Sequence, residues 1–324
     1  MKKEGFSHWI QNLAKSRETG LLAVLILIGG VFSLGTPTFL TGENLLNIVK
    51  QVTLVTIVAA GQTFVITSGG IDLSVGYLLG ISSIVMALFI SWGVPVPVAI
   101  LICLLCGTMM GTINGLLITK LSLPPFIITL GMQGIARGLI NVITQGYPIM
   151  VDSPFIMHLG QGNLGTVPVI ALFMPVVIII THWVYSRTVF GNHVKALGGN
   201  ETAARLSGIS LSKMKVSVYA LCGLLCGLAG MLITGRLNSG NPNAGLNFDM
   251  DSIAAVIVGG TALSGGSGTV VGTMLGALLM GIIRNGLVQL RVNMYWQTVV
   301  TGAIIILVCA LDNMAKTRRK GAKP

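Results

Sequence analysis

Between Leu21 and Asp312 the chain is a succession of apolar stretches, each about as long as a bilayer is thick. A helix needs about 20 apolar residues to cross the hydrocarbon core. Stretches near that length stand at 21–40, 48–68, 71–91, 96–118, 125–145, 168–185, 213–236, 251–265, 268–289 and 295–312. Lipid offers the backbone no hydrogen-bond partners, so spanning segments are helices or closed barrels, and runs this long read as helices. The expectation is an all-α polytopic membrane protein of about ten transmembrane helices. Two spans are weak: Gly69-Gly70 alone divide 48–68 from 71–91, and 251–265 is short for a crossing. Eight spans with re-entrant segments would keep the same parity. Only 9% of residues are charged, against roughly 25% in a soluble domain, which excludes a water-exposed globule of this size.

The net charge of +11 would raise the question of nucleic acid in a soluble protein, but its placement answers otherwise. Lys2, Lys3, Lys15 and Arg17 precede the first span, and Lys316, Arg318, Arg319, Lys320 and Lys323 follow the last. Arg187, Lys195, Arg205, Lys213 and Lys215 share one internal polar segment, while Glu43, Asp152, Asp249 and Asp251 fall on the other side. Short cytoplasmic loops retain Lys and Arg, so both termini read as cytoplasmic in a multi-pass bacterial inner-membrane protein. The lipid bilayer is then the surrounding partner, and no aromatic-interleaved basic surface points to nucleic acid. The division is a cytoplasmic N-terminal segment 1–20, a transmembrane domain 21–312 containing the loop 186–212, and a basic tail 313–324. No A-x-A-like cleavage site follows a short apolar core, so the first span reads as uncleaved. Cys103, Cys106, Cys222, Cys226 and Cys309 lie inside apolar runs without nearby His or acidic ligands, as small buried apolar residues do.

Two external segments, near 146–167 and 237–250, are rich in Gly, Asn and Pro as turns require. They are either a docking surface or passive connections. Residues 66–76, Ile-Thr-Ser-Gly-Gly-Ile-Asp-Leu-Ser-Val-Gly, echo 257–268, Ile-Val-Gly-Gly-Thr-Ala-Leu-Ser-Gly-Gly-Ser-Gly. Each is a glycine-broken junction between two apolar runs. Corresponding interruptions in two halves of a chain point to a central pathway, although membrane Gly/Ser stretches also resemble one another by chance. Ser68, Ser74, Thr261 and Ser264 supply hydroxyls at these breaks.

Asp72 is the sharpest residue of the first break. A carboxylate at membrane depth costs about 2.5–3.5 kcal/mol on insertion scales, so it is kept for pairing, capping or transport. Asp72 or Ser74 could accept from the orphan N–H groups of the following helix; shaping the pathway or relaying protons are the other readings. Asn114, between Gly111 and Gly115, and Arg137, within a Gly-rich stretch, are polar in mid-span. They serve interhelical hydrogen bonding or contact a solute. Arg284 near a span end reads as snorkelling.

The segment 186–212 differs from every other loop. Asn200 stands as an N-cap before Glu201-Thr202-Ala203-Ala204, and Gly208 is a natural stop. A short cytoplasmic helix results, which is either a solvated loop or a lever that engages a partner.

Thr202-Ala203-Ala204-Arg205-Leu206-Ser207-Gly208 resembles a degenerate form of the E-A-A-x-x-x-G coupling loop of binding-protein-dependent ABC importers. The stretch from Ala196-Leu197-Gly198-Gly199-Asn200 to Ile209 resembles the ribose/xylose/galactoside-type permease family. So do Ser68 through Gly76, Pro125 through Leu130, Asp251 through Val256 and Val258 through Thr269. The likeness runs from about residue 20 to 312 and implies an all-α permease with both termini cytoplasmic. It also implies a second permease subunit, homo- or heterodimeric, a cytoplasmic ATPase with two tandem nucleotide-binding domains, and a periplasmic sugar-binding protein. Gly198, Gly199, Asn200, Glu201, Thr202, Ala203, Ala204, Arg205 and Gly208 are the positions it assigns to coupling with the ATPase. One departure is Thr202, where the general motif carries its acid; Glu201 stands one position earlier.

No G-x-x-x-x-G-K-[ST] loop is present, so ATP and Mg would be bound by the partner and this chain carries no cofactor of its own. His8, His158, His182 and His193 are scattered without ligand or triad spacing, so neither a metal nor a catalytic centre is expected. The expected role is a non-catalytic subunit of an ATP-driven translocase moving a monosaccharide by alternating access. The candidate pathway residues are Ser68, Asp72, Ser74, Asn114, Arg137, Thr261 and Ser264. A permease for a nucleoside or branched-chain amino acid would share this fold. An ion-coupled secondary transporter would need embedded acidic relays, which Asp72 alone supplies poorly.

Overall fold

The computed structural model describes residues 17–321, and side chains from residue 18 to 310. Most of the expected N-terminal segment 1–20 and part of the tail 313–324 lie outside these bounds. In chain order the helices are α1 (Arg17–Gly35), α2 (Gly42–Thr67), α3 (Val75–Ser91), α4 (Val96–Lys120), α5 (Pro125–Thr144), α6 (Pro154–Gln161) and α7 (Val169–Arg187). Then follow α8 (Val189–Gly199), α9 (Glu201–Leu206), α10 (Leu211–Leu237), α11 (Phe248–Val258), α12 (Val270–Gln289) and α13 (Met294–Gly321). Four two-residue strands complete the described chain: β1 (Ile149–Met150), β2 (Asn163–Leu164), β3 (Val167–Pro168) and β4 (Ser239–Gly240).

The protein is an all-helical polytopic membrane protein. Seven helices are long and apolar enough to cross a bilayer: α1, α2, α4, α5, α7, α10 and α12. Helix α3 and the Met294–Ala310 part of α13 are shorter apolar helices. The expected spans at 71–91 and 251–265 need correction. The first is helical only from Val75, and the second is helical over Phe248–Val258. Eleven residues rise about 16 Å, roughly half the hydrocarbon core.

Helix α10 is the packing hub, touching α4, α3 and α2. Its contact with α4 is made by glycines. A Cβ on Gly107 would strike the Gly223 carbonyl, one on Gly111 the Tyr219 carbonyl, and one on Gly115 the backbone of Val216. Lipid provides no hydrophobic drive between helices, so close backbone approach supplies the dispersion contacts instead. Gly230 does the same against α3, where Ser83 and Thr234 hydroxyls bond at 2.8 Å. Helix α2 is enclosed from Val52 to Thr67, which explains why this stretch carries no charge and only hydroxyls and one amide among its apolar residues. Thr63 bonds both its own helix, at Ala59 O, and Thr273 of α12, each at 2.8 Å, whereas Thr56 Oγ1 has no partner among the described residues.

The two ends of the bundle differ. At one end β1 pairs antiparallel with β4 (Ile149 with Gly240), and α6 lies on the C-terminus of α10 through Gly160 and Gly235. The turn-rich segments 146–167 and 237–250 are therefore structured. Asn44 and Asn285 exchange reciprocal amide bonds of 2.9 Å there, and Gln289 Nε2 donates to Asn44 Oδ1 at 2.7 Å. At the other end lie α8 and α9, between α7 and α10. The loop 186–212 thus holds two helices where one was expected.

Candidate functional site

The echo between 66–76 and 257–268 corresponds to one local device built twice. After α2, Gly70 N donates to Val65 O and Gly69 N to Ile66 O, both at 3.0 Å, with Gly69 at φ +85°. After α11, Thr261 N donates to Val256 O at 3.1 Å and Gly260 N to Ile257 O at 2.9 Å, with Gly260 at φ +101°. Both are Schellman endings, which need a left-handed residue at their turn and hence glycine. Residues 68–74 and 259–269 then run without helix to α3 and α12.

The two breaks meet at the end of the bundle that carries α8 and α9. Gly266 N donates to Thr67 O at 2.8 Å, joining the second break to the last residue of α2. Gly198, near the end of α8, sits against both: a Cβ there would overlap the Thr67 carbonyl and come 2.6 Å from Gly266 N. Gly265 at φ +80° and Gly266 at φ +79° pack on the backbone of Gly198 and Gly199. Three segments distant in sequence therefore touch through backbone alone. Beside them lies a cavity of about 250 Å³ lined by Ser68, Gly70, Asn200, Lys215 and Tyr219 among others.

Asp72 closes the first break. Its Oδ1 accepts from Ser74 N at 2.8 Å and from Ser74 Oγ at 2.5 Å, an Asx-type turn immediately before α3. Asn114 Nδ2 of α4 donates to Ser74 Oγ at 2.9 Å, and Gln62 Nε2 of α2 donates to Asp72 O at 2.9 Å. Thr129 of α5 and Tyr219 of α10 donate to Ile71 O at 3.3 and 3.4 Å. Four helices thus pin this irregular segment. Asp72, Ser74 and Asn114 are fully buried, and Asp72 Oδ2 and Asn114 Oδ1 have no partner among the described residues. The cap differs from the expected one: Ser74 makes no side-chain bond to the turn that follows.

In the loop, Asn200 Oδ1 accepts from Ala203 N at 2.9 Å, the N-cap of α9, and Gly208 at φ +82° follows its end. Thr202, Ala203, Arg205 and Leu206 face outward, with Leu206 82% exposed, while Ala204 is buried. Glu201 is held by Lys215 of α10 at 2.8 Å, so it braces its own chain. Ser68 bonds Val65 O at 2.7 Å, Thr261 is buried against Gly268, and Ser264 is exposed on the second break. Arg137 is not in this cluster. It lies on the open face of α5, where a methyl added to Gly131, Gly134 or Gly138 would meet nothing within 4 Å.

Sequence reasoning missed Thr67, Gly266, Gln62 and Tyr219, whose parts are backbone or cross-helix contacts that no local pattern announces. It also misjudged Arg284 and Asp251. Arg284 does not snorkel; it forms an ion pair with Asp251, which stands in the first turn of α11 and is only 8% exposed.

An all-helical, multi-pass protein whose broken helices converge on a capped loop at one end is the membrane part of a translocation machine. The chain belongs to the family described as the branched-chain amino acid transport system permease component, whose model matches residues 44–309. It is 43% identical over 296 residues to the ribose import permease protein RbsC of Bacillus subtilis, covering 90% of each chain. The ribose import permease protein RbsC of Escherichia coli is 40% identical over 300 residues, 91% of this chain and 93% of the relative. The galactose/methyl galactoside import permease protein MglC of Escherichia coli is 35% identical over 328 residues, covering 94% and 96%. The resemblance to sugar-importer permeases drawn from the junction and loop motifs is thereby borne out. No solved structure gives a significant match.

Proposed function

We propose that this chain is the permease subunit of an ABC importer that carries a monosaccharide across the bacterial inner membrane by alternating access. A partner ATPase with two tandem nucleotide-binding domains binds ATP and Mg and hydrolyses the nucleotide, and a periplasmic sugar-binding protein delivers the solute. Both termini and the α8–α9 loop face the cytoplasm. The chain passes the membrane ten times, with 241–258 as a discontinuous pass of irregular backbone followed by α11, and 68–74 and 259–269 as re-entrant breaks. Irregular backbone at membrane depth is tolerated only where protein buries it or water lines it, which supports a role for these breaks at the gate. The open face of α5, with Arg137 and Asn141 exposed among glycines, receives the second permease subunit.

The observation that carries the reading is the seat of Gly198 on Thr67 and Gly266. A push by the ATPase on Thr202–Gly208 reaches both broken helices through one backbone contact, with no flexible side chain between. The test is uptake of radiolabelled D-ribose into proteoliposomes holding the permease, ATPase and binding protein. Uptake should need internal ATP and persist without a proton or sodium gradient; gradient-driven uptake without ATP would make it a secondary transporter. The family's description favours one second reading, a branched-chain amino acid as solute, as does the shared fold for a nucleoside. Leucine or nucleoside uptake with no sugar uptake in the same vesicles would establish that alternative.

A further inference from the structure

We infer that the recess between the cytoplasmic ends of α1 and α7 is a lipid site, one that takes the zwitterionic head group of an amino-phospholipid. The orientation rests on the importer reading above. The recess measures about 570 Å³, within the roughly 300–1,000 Å³ usual for small-molecule sites. It is lined by Glu18 of α1, His182 and Tyr185 of α7, Lys195 of α8, and Ser267 and Thr269 of the second break.

Glu18 and Lys195 border one recess without pairing. The ion pairs among the described residues are Lys215 with Glu201 and Arg284 with Asp251. Lys195 Nζ lies 4.9 Å from the centre of the Tyr185 ring and donates to Asn192 Oδ1 at 3.3 Å, so no described acid holds it. His182 and Ser186 bond through Nδ1 and Oγ at 3.4 Å, which leaves Nε2 for another partner. Opposite charges held apart across open space suit a ligand that carries both, with its phosphate on Lys195 and His182 and its ammonium on Glu18. Bonds between ionised partners of this kind are about twice as strong as neutral ones. A lone anion or cation would meet a like charge on one side.

The surroundings mark a lipid and not a soluble zwitterion. Trp183, beside His182, is exposed, and indoles gather at the membrane interface. Further into the membrane the exposed side chains are apolar, Ile179 on α7 and Leu22 and Ile26 on α1. Helix α12 touches both α1 and α7, and its half-buried Val271, Met274 and Leu278 fall on one stripe that starts in the recess. Polar groups at head-group depth that continue into an apolar groove repeat the polarity of a phospholipid. The Tyr185 and Thr67 hydroxyls bond at 3.3 Å, so a head group seated on Tyr185, Ser267 and Thr269 adjoins both broken helices.

The experiment is native mass spectrometry of the detergent-purified permease–ATPase complex, titrated with phosphatidylethanolamine, phosphatidylcholine or phosphatidylglycerol of the same acyl chains. The wild type should retain phosphatidylethanolamine about fivefold more than either other lipid. Glu18→Gln removes the ammonium partner and should bring phosphatidylethanolamine down to the level of phosphatidylcholine. Lys195→Gln removes a phosphate partner and should lower both alike, by about threefold. Loss of packing alone would not split the head groups in this way. Equal retention of the three lipids by the wild type overturns the inference, as does an undiminished preference in Glu18→Gln. Displacement of the lipid by soluble glycerophosphoethanolamine overturns it too, because the seat would then belong to a soluble zwitterion. Retention is read without transport, so absence of sugar uptake would overturn the importer reading and leave the lipid result standing.

Discussion

Asp72 binds Ser74 twice, through its backbone N–H and its hydroxyl, and Asn114 completes the chain of bonds from α4. Such geometry braces a chain reversal and does not require a negative charge. Replacement of an N-cap acceptor by an apolar residue costs about 0.5–2 kcal/mol, and here the reversal itself would be released. Asp72→Asn keeps an acceptor oxygen and should retain most uptake, whereas Asp72→Leu should lose most of it or lower the amount of folded protein in the membrane. Uptake abolished by Asp72→Asn at normal protein level would show that the charge matters. The turn at Asp72 and Ser74 can be read from the sequence because its bonds are local, although they close the turn before α3 and do not cap the helix itself. The partner at Asn114 cannot, since it stands 40 positions away. Arg284 illustrates the same limit: hydropathy sees a basic residue near a span end, and only packing shows Asp251 opposite it.

Among helices, those with long apolar runs were readable and the interrupted ones were less so. Helix α11 is preceded by irregular backbone from 241 to 247, where Gly245 packs on Gly76 of α3. The Asn, Pro and Gly residues of that stretch mark it as irregular backbone in the sequence; what hydropathy misses is that this backbone packs against α3 inside the bundle. The loop 186–212 holds two helices because Asn200 breaks the chain at φ −159° while capping α9. Gly208 lies at φ +82°, a conformation that costs a non-glycine residue about 1 kcal/mol or more. Gly208→Trp adds bulk beside exposed Leu206, and should abolish ATPase association and uptake while insertion stays normal. Normal assembly in that variant would remove the loop from the docking surface. The α4–α10 seam offers a structural counterpart. Gly111→Leu drives a side chain into the Tyr219 carbonyl and should destabilise the protein by about 1–3 kcal/mol or more. A lower melting temperature in detergent is the readout.

For the molecule as a whole, charge placement and hydropathy fix the membrane class; on the function proposed above, hydrolysis falls to a partner, in keeping with the lack of a G-x-x-x-x-G-K-[ST] loop in this sequence. The isolated chain, purified free of ATPase, should therefore show no nucleotide hydrolysis above background. What composition could not supply is the convergence of two breaks and one loop on a single point, since Thr67, Gly198 and Gly266 contribute backbone and no distinctive side chain. On the proposed function, that convergence would convert a push on α9 into movement of α2 and the α11–α12 break. Gly198→Ala tests it with one methyl, which would overlap the Thr67 carbonyl and unseat the loop from both breaks. In the reconstituted complex the ATPase should remain bound and hydrolyse ATP, while sugar uptake per ATP falls by about tenfold or more. Unchanged uptake per ATP with Gly198→Ala would contradict the account, because the broken helices would then move without the contact proposed to move them.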